Sequence, residues 1–204
     1  MEAKLKNLQR TFDDKLERGL LASSTANINT VNSLYDVIDS ADPSVANLGD
    51  IDRDSYSWWQ ATETASGSMA TQGLENIRTA SNTVSRSGMD PVNLHITTQT
   101  VYEAYQARLT PFERFTSKGK GDLEFDSLAF ANKPVVFSFA AQSGTWLGIN
   151  TKYLRFRINK HMNFLQQPFV RGEGKQYKSA IVQTMCQLTT TRPKSMFKLT
   201  SVTA

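Results

Sequence analysis

The sequence predicts an α+β protein, and three observations carry that prediction. Residues 2–18 have the apolar spacing of an amphipathic helix, residues 68–109 read as helix, strand and helix, and residues 123–164 hold strand patterns separated by turn chemistry. Helical periodicity dominates the first half of the chain, and period-two alternation dominates the second.

In Glu2–Arg18, Leu5, Leu8, Phe12 and Leu16 form one narrow apolar stripe, charged residues cover the rest, and Gly19 is the expected stop. A stripe this thin suits a helix lying across a sheet. Ser23–Asn32 is rich in Ser, Thr and Asn and marks an expected boundary, after which Leu34, Val37 and Ile38 predict a short buried helical turn. The run Asp50-Ile51-Asp52-Arg53-Asp54 opens like a calcium loop. A calcium loop requires Gly at its sixth position and Glu at its twelfth, whereas this chain has Ser55 and Ala61 there, so the reading is a solvated acidic turn. Trp58 and Trp59 follow at once. Neighbouring tryptophans cannot both point inward from regular structure, so one is expected in the core and the other at an edge, a ligand or another subunit.

Ser68–Ser85 predicts a second helix, burying Met69, Leu74, Ile77, Ala80 and Val84, and Gly88 and Pro91 end it. Val92, Leu94 and Ile96 alternate as a strand around His95. Thr100 and Glu103 have capping-box spacing for a further helix. This α/β unit is expected to be distinct from the sheet that follows. Beyond the basic loop Ser117–Gly121, Leu123, Phe125, Leu128 and Phe130 alternate opposite Asp122, Glu124 and Asp126. Asn132-Lys133-Pro134 is a turn, Val135–Phe139 a β-branched and aromatic strand, and Trp146–Ile149 another. Tyr153–Ile158 alternates apolar with basic residues, Ser179–Leu188 reads as one strand, and Met196, Leu199 and Val202 as a last strand returning to the sheet.

Charge is unevenly distributed. Residues 1–100 carry eight Lys/Arg against thirteen Asp/Glu, and residues 101–204 carry fifteen against six, so the net +4 is the sum of −5 and +9. Such a split fits nucleic-acid binding, faces that dock between copies, or simply a solvated basic surface. The single Cys186 excludes an intramolecular disulfide framework and fits a reducing cytoplasm, and no apolar run approaches membrane-spanning length. His95 and His161 have no second ligand at metal spacing and no nucleophile beside them, and no phosphate-binding glycine loop is present. The residues therefore nominate no catalytic, cofactor or metal site. Basic residues interleaved with Tyr153 and Phe156 leave a nucleic-acid-binding protein as a competing reading.

Taken in order, these segments resemble the major capsid protein of tailed bacteriophages, whose fold is shared with encapsulins. Glu2–Arg18 is similar to the later part of that family's spine helix, and Trp58-Trp59 to a tryptophan-bearing segment of one branch. Thr71–Ser85, Val92–Thr97 and Thr100–Leu109 resemble the helix, strand and helix of its axial domain. Leu128–Val136 resembles its return strand, with Asn132 where a glycine is usual, Ile149–Leu154 its Leu-Asn-Thr-x-Tyr-Leu stretch, and Ala180–Leu188 with Arg192-Pro193 its closing peripheral strand. The resemblance implies a Hong Kong-97-like fold, a spine helix packed on a peripheral β-sheet beside an α/β axial domain. The implied division is 1–24 for the spine helix, 25–122 for the axial domain and 123–204 for the return strands that complete both parts. It implies a chain without the N-terminal arm and extended loop of its relatives. The function implied is a non-enzymatic capsid subunit, assembled in a bacterial host's cytoplasm into pentamers, hexamers and an icosahedral virion shell around double-stranded DNA. Scaffolding and portal proteins are implied partners, no membrane is involved, and an encapsulin-like compartment is the nearest alternative. On this reading Trp58, Trp59, Arg155 and Arg157 are expected at subunit interfaces, and Lys118 and Lys120 facing DNA.

Overall fold

The chain places a strand that is buried on both faces near the centre of its main sheet, as seen in a computed structural model describing residues 2–21, 31–40, 47–85, 88–109, 128–172, 174 and 176–204. The expected boundary at 23–30, the alternation at 122–126 and the loop bearing Lys118 and Lys120 lie outside the described residues.

Helix α1 (Glu2–Leu21) runs through Gly19, whose backbone is not left-handed and which no neighbouring atom crowds, so the glycine does not stop it. Helix α2 (Leu34–Val37) is a single buried turn. Ser33 and Asp36 exchange side-chain-to-backbone hydrogen bonds at its start, satisfying two donors that water cannot reach. Strands β1 (Asn47–Leu48) and β2 (Ile51–Asp52) make a hairpin through Gly49 and Asp50, both at φ 62°, the left-handed pair a two-residue turn requires. Strand β3 (Thr62–Ser68) then runs into a π-turn, Met69–Gly73, and α3 (Leu74–Val84). The predicted helix from Ser68 therefore begins as a wide turn, and the strand before it lacks the apolar alternation that would announce it.

β4 (Leu94–Thr97) and α4 (Gln99–Leu109) follow. The helix starts before Thr100, and Gln99 Nε2 donates to Glu103 Oε1 at 2.8 Å, so the expected capping box at Thr100 does not form. β5 (Ala129–Phe130) and β6 (Lys133–Phe137) are joined by Ala131 (φ 49°) and Asn132 (φ 62°). Asn tolerates the left-handed region better than other non-glycine residues, so the tight turn survives without the usual glycine. β7 (Trp146–Ile149) is buried at every position. Next come β8 (Leu154–Ile158), β9 (Leu165–Gln166), β10 (Val170–Arg171), β11 (Lys178–Ser179), β12 (Val182–Gln183) and β13 (Cys186–Thr190). The last strand is β14 (Phe197–Thr203).

Six strands form one sheet in the order β3-β14-β7-β4-β6-β5, with β3/β14 and β4/β6 parallel and the other pairs antiparallel. Strand β4 thus lies inside the later sheet, between β7 and β6, rather than in a separate unit. On one face Trp146, Phe197 and Leu199 meet Ile77, Ala80 and Val84 of α3 and Val101 and Tyr105 of α4. On the other, Leu147 and Ile149 pack with α2, Trp59 and Met196. Side chains of this size contribute roughly 1.5–3 kcal/mol each on full burial, and β7 supplies them to both faces. Alternation in β14 breaks at Ser201, at φ 55°, and Val202 rejoins Phe197 and Leu199 in the same cluster. Lys198, on the opposite parity, is held at 3.1 Å from both Asp39 and Glu63.

His95 faces the helix-covered side and is 1% exposed. Its Nδ1 accepts from Trp146 Nε1 at 3.1 Å, while Nε2 has no partner among the described residues. Burial lowers its pKa from 6.5 to about 4. Between those values the unfolded chain takes up a proton that the folded chain refuses, so stability falls as pH drops from about 6.5 to about 4, by on the order of 3 kcal/mol in full. His95→Phe keeps a packed ring but has no proton to gain. Urea midpoints measured across this window are expected to fall more steeply for the parent chain than for His95→Phe.

Candidate functional site: a tryptophan corner and a basic ribbon

Two exposed features stand out from the buried sheet. The first is the corner formed by residues 47–60. Trp59, 8% exposed, donates from Nε1 to Leu48 O at 2.9 Å and packs with α2, so it is the core member of the tryptophan pair. Trp58, 54% exposed, stands outside it, with its ring centroid 5.4 Å from Trp59 and 5.8 Å from the exposed Tyr56. The 3₁₀ turn Ser57–Trp59 produces this split, because adjacent side chains on a tight turn diverge. Arg53 is fully buried and its Nη2 donates to the carbonyl oxygens of Asp36 and Val37. With Arg53 turned inward, the outer charge of the corner is that of Asp50, Asp52 and Asp54. Ser55 Oγ at 2.6 Å and Asp54 N at 3.0 Å donate to Asp52, with the serine bond leading, and hold its carboxyl below the usual range.

The second feature is a two-stranded ribbon. β8 pairs with β13, β9 with β12 and β10 with β11, all antiparallel. The single strand expected over Ser179–Leu188 is therefore three short ladders, interrupted where Asn159 N and Met185 N bond to Met185 O and Met162 O and where Phe164 takes φ 51°. Register gives the ribbon two faces at its base. Leu154, Phe156 and Ile158 stand opposite Thr190, Leu188 and Cys186 on one, and Arg155 and Arg157 opposite Thr189 and Gln187 on the other. Leu188 reaches the core, whereas Phe156 and Ile158 stay 40% and 48% exposed and Cys186 is half-buried. Arg155 and Arg157 are exposed, and among the described residues neither has a carboxylate partner. Farther out, Phe164 meets Phe12 of α1 edge-on at 4.5 Å.

The ribbon is tied to the sheet by a cluster that sequence spacing does not reveal. Asp90, just before β4, accepts from Tyr153 Oη at 2.8 Å and Arg192 Nη1 at 2.7 Å, and from Lys152 Nζ at 3.3 Å. Tyr153 precedes the outgoing strand and Arg192 follows the returning one, so one carboxylate fixes both ends. The tyrosine hydrogen bond, then the lysine and the arginine, hold the Asp90 carboxyl below its ordinary value. In sequence Asp90 lies unmarked between the helix-ending Gly88 and Pro91, and its partners are 62 to 102 residues away.

Trp58 and Trp59 share the corner, Arg155 and Arg157 share one ribbon face, and Lys118 and Lys120 are outside the described residues. Among the described residues no group of His, Cys, Asp or Glu is arranged to hold a metal, and no helix is long and apolar enough to cross a membrane.

Trp59→Ala is expected to destabilise the fold by about 3–5 kcal/mol and Trp58→Ala by about 0.5 kcal/mol or less, read from urea denaturation. For Asp90 the depressed carboxyl contributes stability above its unfolded value of about 3.9, and that contribution is lost as pH falls through the lower folded value. Asp90→Asn should therefore melt below the parent at pH 7, and the gap should close as pH is brought well below about 4.

No protein-family model and no curated protein sequence matches the chain. Among solved structures, a chain of the cyanophage A-1(L) capsid asymmetric unit matches at 12% identity with a TM-score of 0.67, over 100% of this chain and 69% of that one. The α+β fold assembled from these residues is similar to that of this phage capsid chain.

Proposed function

We propose that this chain is a non-enzymatic structural subunit of a bacteriophage capsid, which self-associates through edge contacts into an icosahedral shell enclosing double-stranded DNA. The observation that carries this reading is the structural likeness to a capsid chain over the whole length of this one. In Hong Kong-97-like terms, α1 with the ribbon is the peripheral part, and the six-stranded sheet with α3 and α4 is the axial part. The proposed division remains 1–24, 25–122 and 123–204. Subunits of this kind work by repetition, many weak contacts closing under symmetry. An exposed tryptophan and an arginine face with no carboxylate partner among the described residues suit that role, since they give register and geometry as much as affinity. Lys118 and Lys120 are proposed to offset packaged DNA without reading its sequence. The shell is assembled in a bacterial cytoplasm, with scaffolding and portal proteins as further partners.

Light scattering of the purified chain, with negative-stain imaging of any heavy fraction, tests the reading. Rings, pentamers, hexamers or shells are expected. A monomer at every concentration and salt tested overturns it. Particles carrying protein cargo and no DNA would favour an encapsulin-like compartment instead.

A further inference from the structure

We infer that the acidic tryptophan corner of one copy docks on the Arg155/Arg157 face of the ribbon of the next copy. The inference rests on the proposed shell reading and adds which surface meets which. Charge is the first argument. Across 47–60 the only basic residue, Arg53, is fully buried, so the corner presents Asp50 and Asp54 as exposed carboxylates without a cation partner among the described residues. Across 154–190 the sequence holds six Lys/Arg and one Asp/Glu. The two arginines lie two residues apart on one strand face, opposite the uncharged Thr189 and Gln187, and no carboxylate among the described residues pairs with them.

Chemistry is the second argument. Tyr56 and Trp58 stand beside the corner carboxylates, 49% and 54% exposed. A guanidinium binds both kinds of group at once, stacking its plane on an aromatic face while its N–H fork meets a carboxylate. A nucleic acid would satisfy the arginines and leave the exposed aromatic-acidic corner unused. A second copy satisfies both. Because the two surfaces differ, the contact is heterologous, running head to tail, which is the kind that closes into rings when the rotation permits.

The test uses charge exchange in the whole chain. Arg155→Glu/Arg157→Glu reverses the ribbon face, and Asp50→Asn/Asp52→Asn/Asp54→Arg reverses the corner while keeping a residue suited to φ 62° at position 50 and an acceptor for Ser55 at position 52. Each variant alone should lose at least about tenfold in assembly by light scattering, given two or more charge-assisted contacts removed and replaced by repulsion. An equimolar mixture should assemble, because each variant's corner then matches the other's ribbon. If the parent assembles and either variant alone does so equally well, or the mixture fails to recover, the contact is wrong and the shell reading stands. If assembly is unchanged but Arg155→Glu/Arg157→Glu loses oligonucleotide binding, the ribbon face serves nucleic acid and the contact is wrong. If the parent is monomeric throughout, both fall. Should a reversed variant fail to fold, Trp58→Cys and Arg157→Cys, each in a Cys186→Ser chain with a different tag, provide a second readout. A disulfide between the two tagged chains is expected, and none forming under conditions where the parent assembles overturns the contact.

Discussion

The close approach of Phe197 to Gly148 governs the rest of the architecture. A Cβ at position 148 would fall on the Phe197 ring, so only glycine lets β14 lie flat against β7. With that contact made, Phe197 shares its face with Trp146 and His95. β14 then offers its other edge to β3, and the sheet gains a sixth strand from a segment with little apolar content of its own. Both cores depend on this seam, because β7 sends Trp146 to one and Leu147 and Ile149 to the other.

Polar groups inside that sheet divide into those that hold the layers together and one that is tolerated. Tyr35 Oη joins Thr145 Oγ1 at 2.7 Å and accepts from Gln142 N at 2.9 Å, pinning α2 to the turn before β7. Lys198 between Asp39 and Glu63 does the same for β14 and β3. His95 is the tolerated one, its Nδ1 satisfied by Trp146 and its neutral form enforced by the aromatic rings of Phe130, Trp146 and Phe197. Outside the sheet, Asp90 acts on geometry, setting where the ribbon leaves and returns.

Much of this was legible in the residues and some of it was not, for physical reasons. Trp146–Ile149 and the terminal strand could be read because their apolar residues have no alternative to burial. Neighbouring tryptophans on a turn had to diverge, so the split between Trp58 and Trp59 could be foreseen, though not which of them faced inward. Strand β3 could not be read, since Thr62–Ser68 pairs through its backbone to an edge that β14 provides, and side-chain pattern carries no trace of that. The ribbon's interruptions depend on local turns at Asn159 and Phe164, and the Asp90 cluster on partners brought together only by the completed fold. Gly19 and Thr100 illustrate the opposite failure: a glycine that keeps helical backbone stops nothing, and a helix that begins at Gln99 leaves Thr100 inside its first turn.

The parallel pairing of β3 with β14 has a kinetic consequence. Phe197 sits opposite Thr62 across most of the chain, and loop closure over such a separation forfeits entropy before any contact repays it. Folding that depends on distant partners is slow, and a ribosome adds only about 5–20 residues per second. Until residues 197–203 emerge, β7 has an open edge and both cores lack a wall. A nascent chain carries that open edge until residues 197–203 are made, and pairing of β14 with β7 is what ends its exposure.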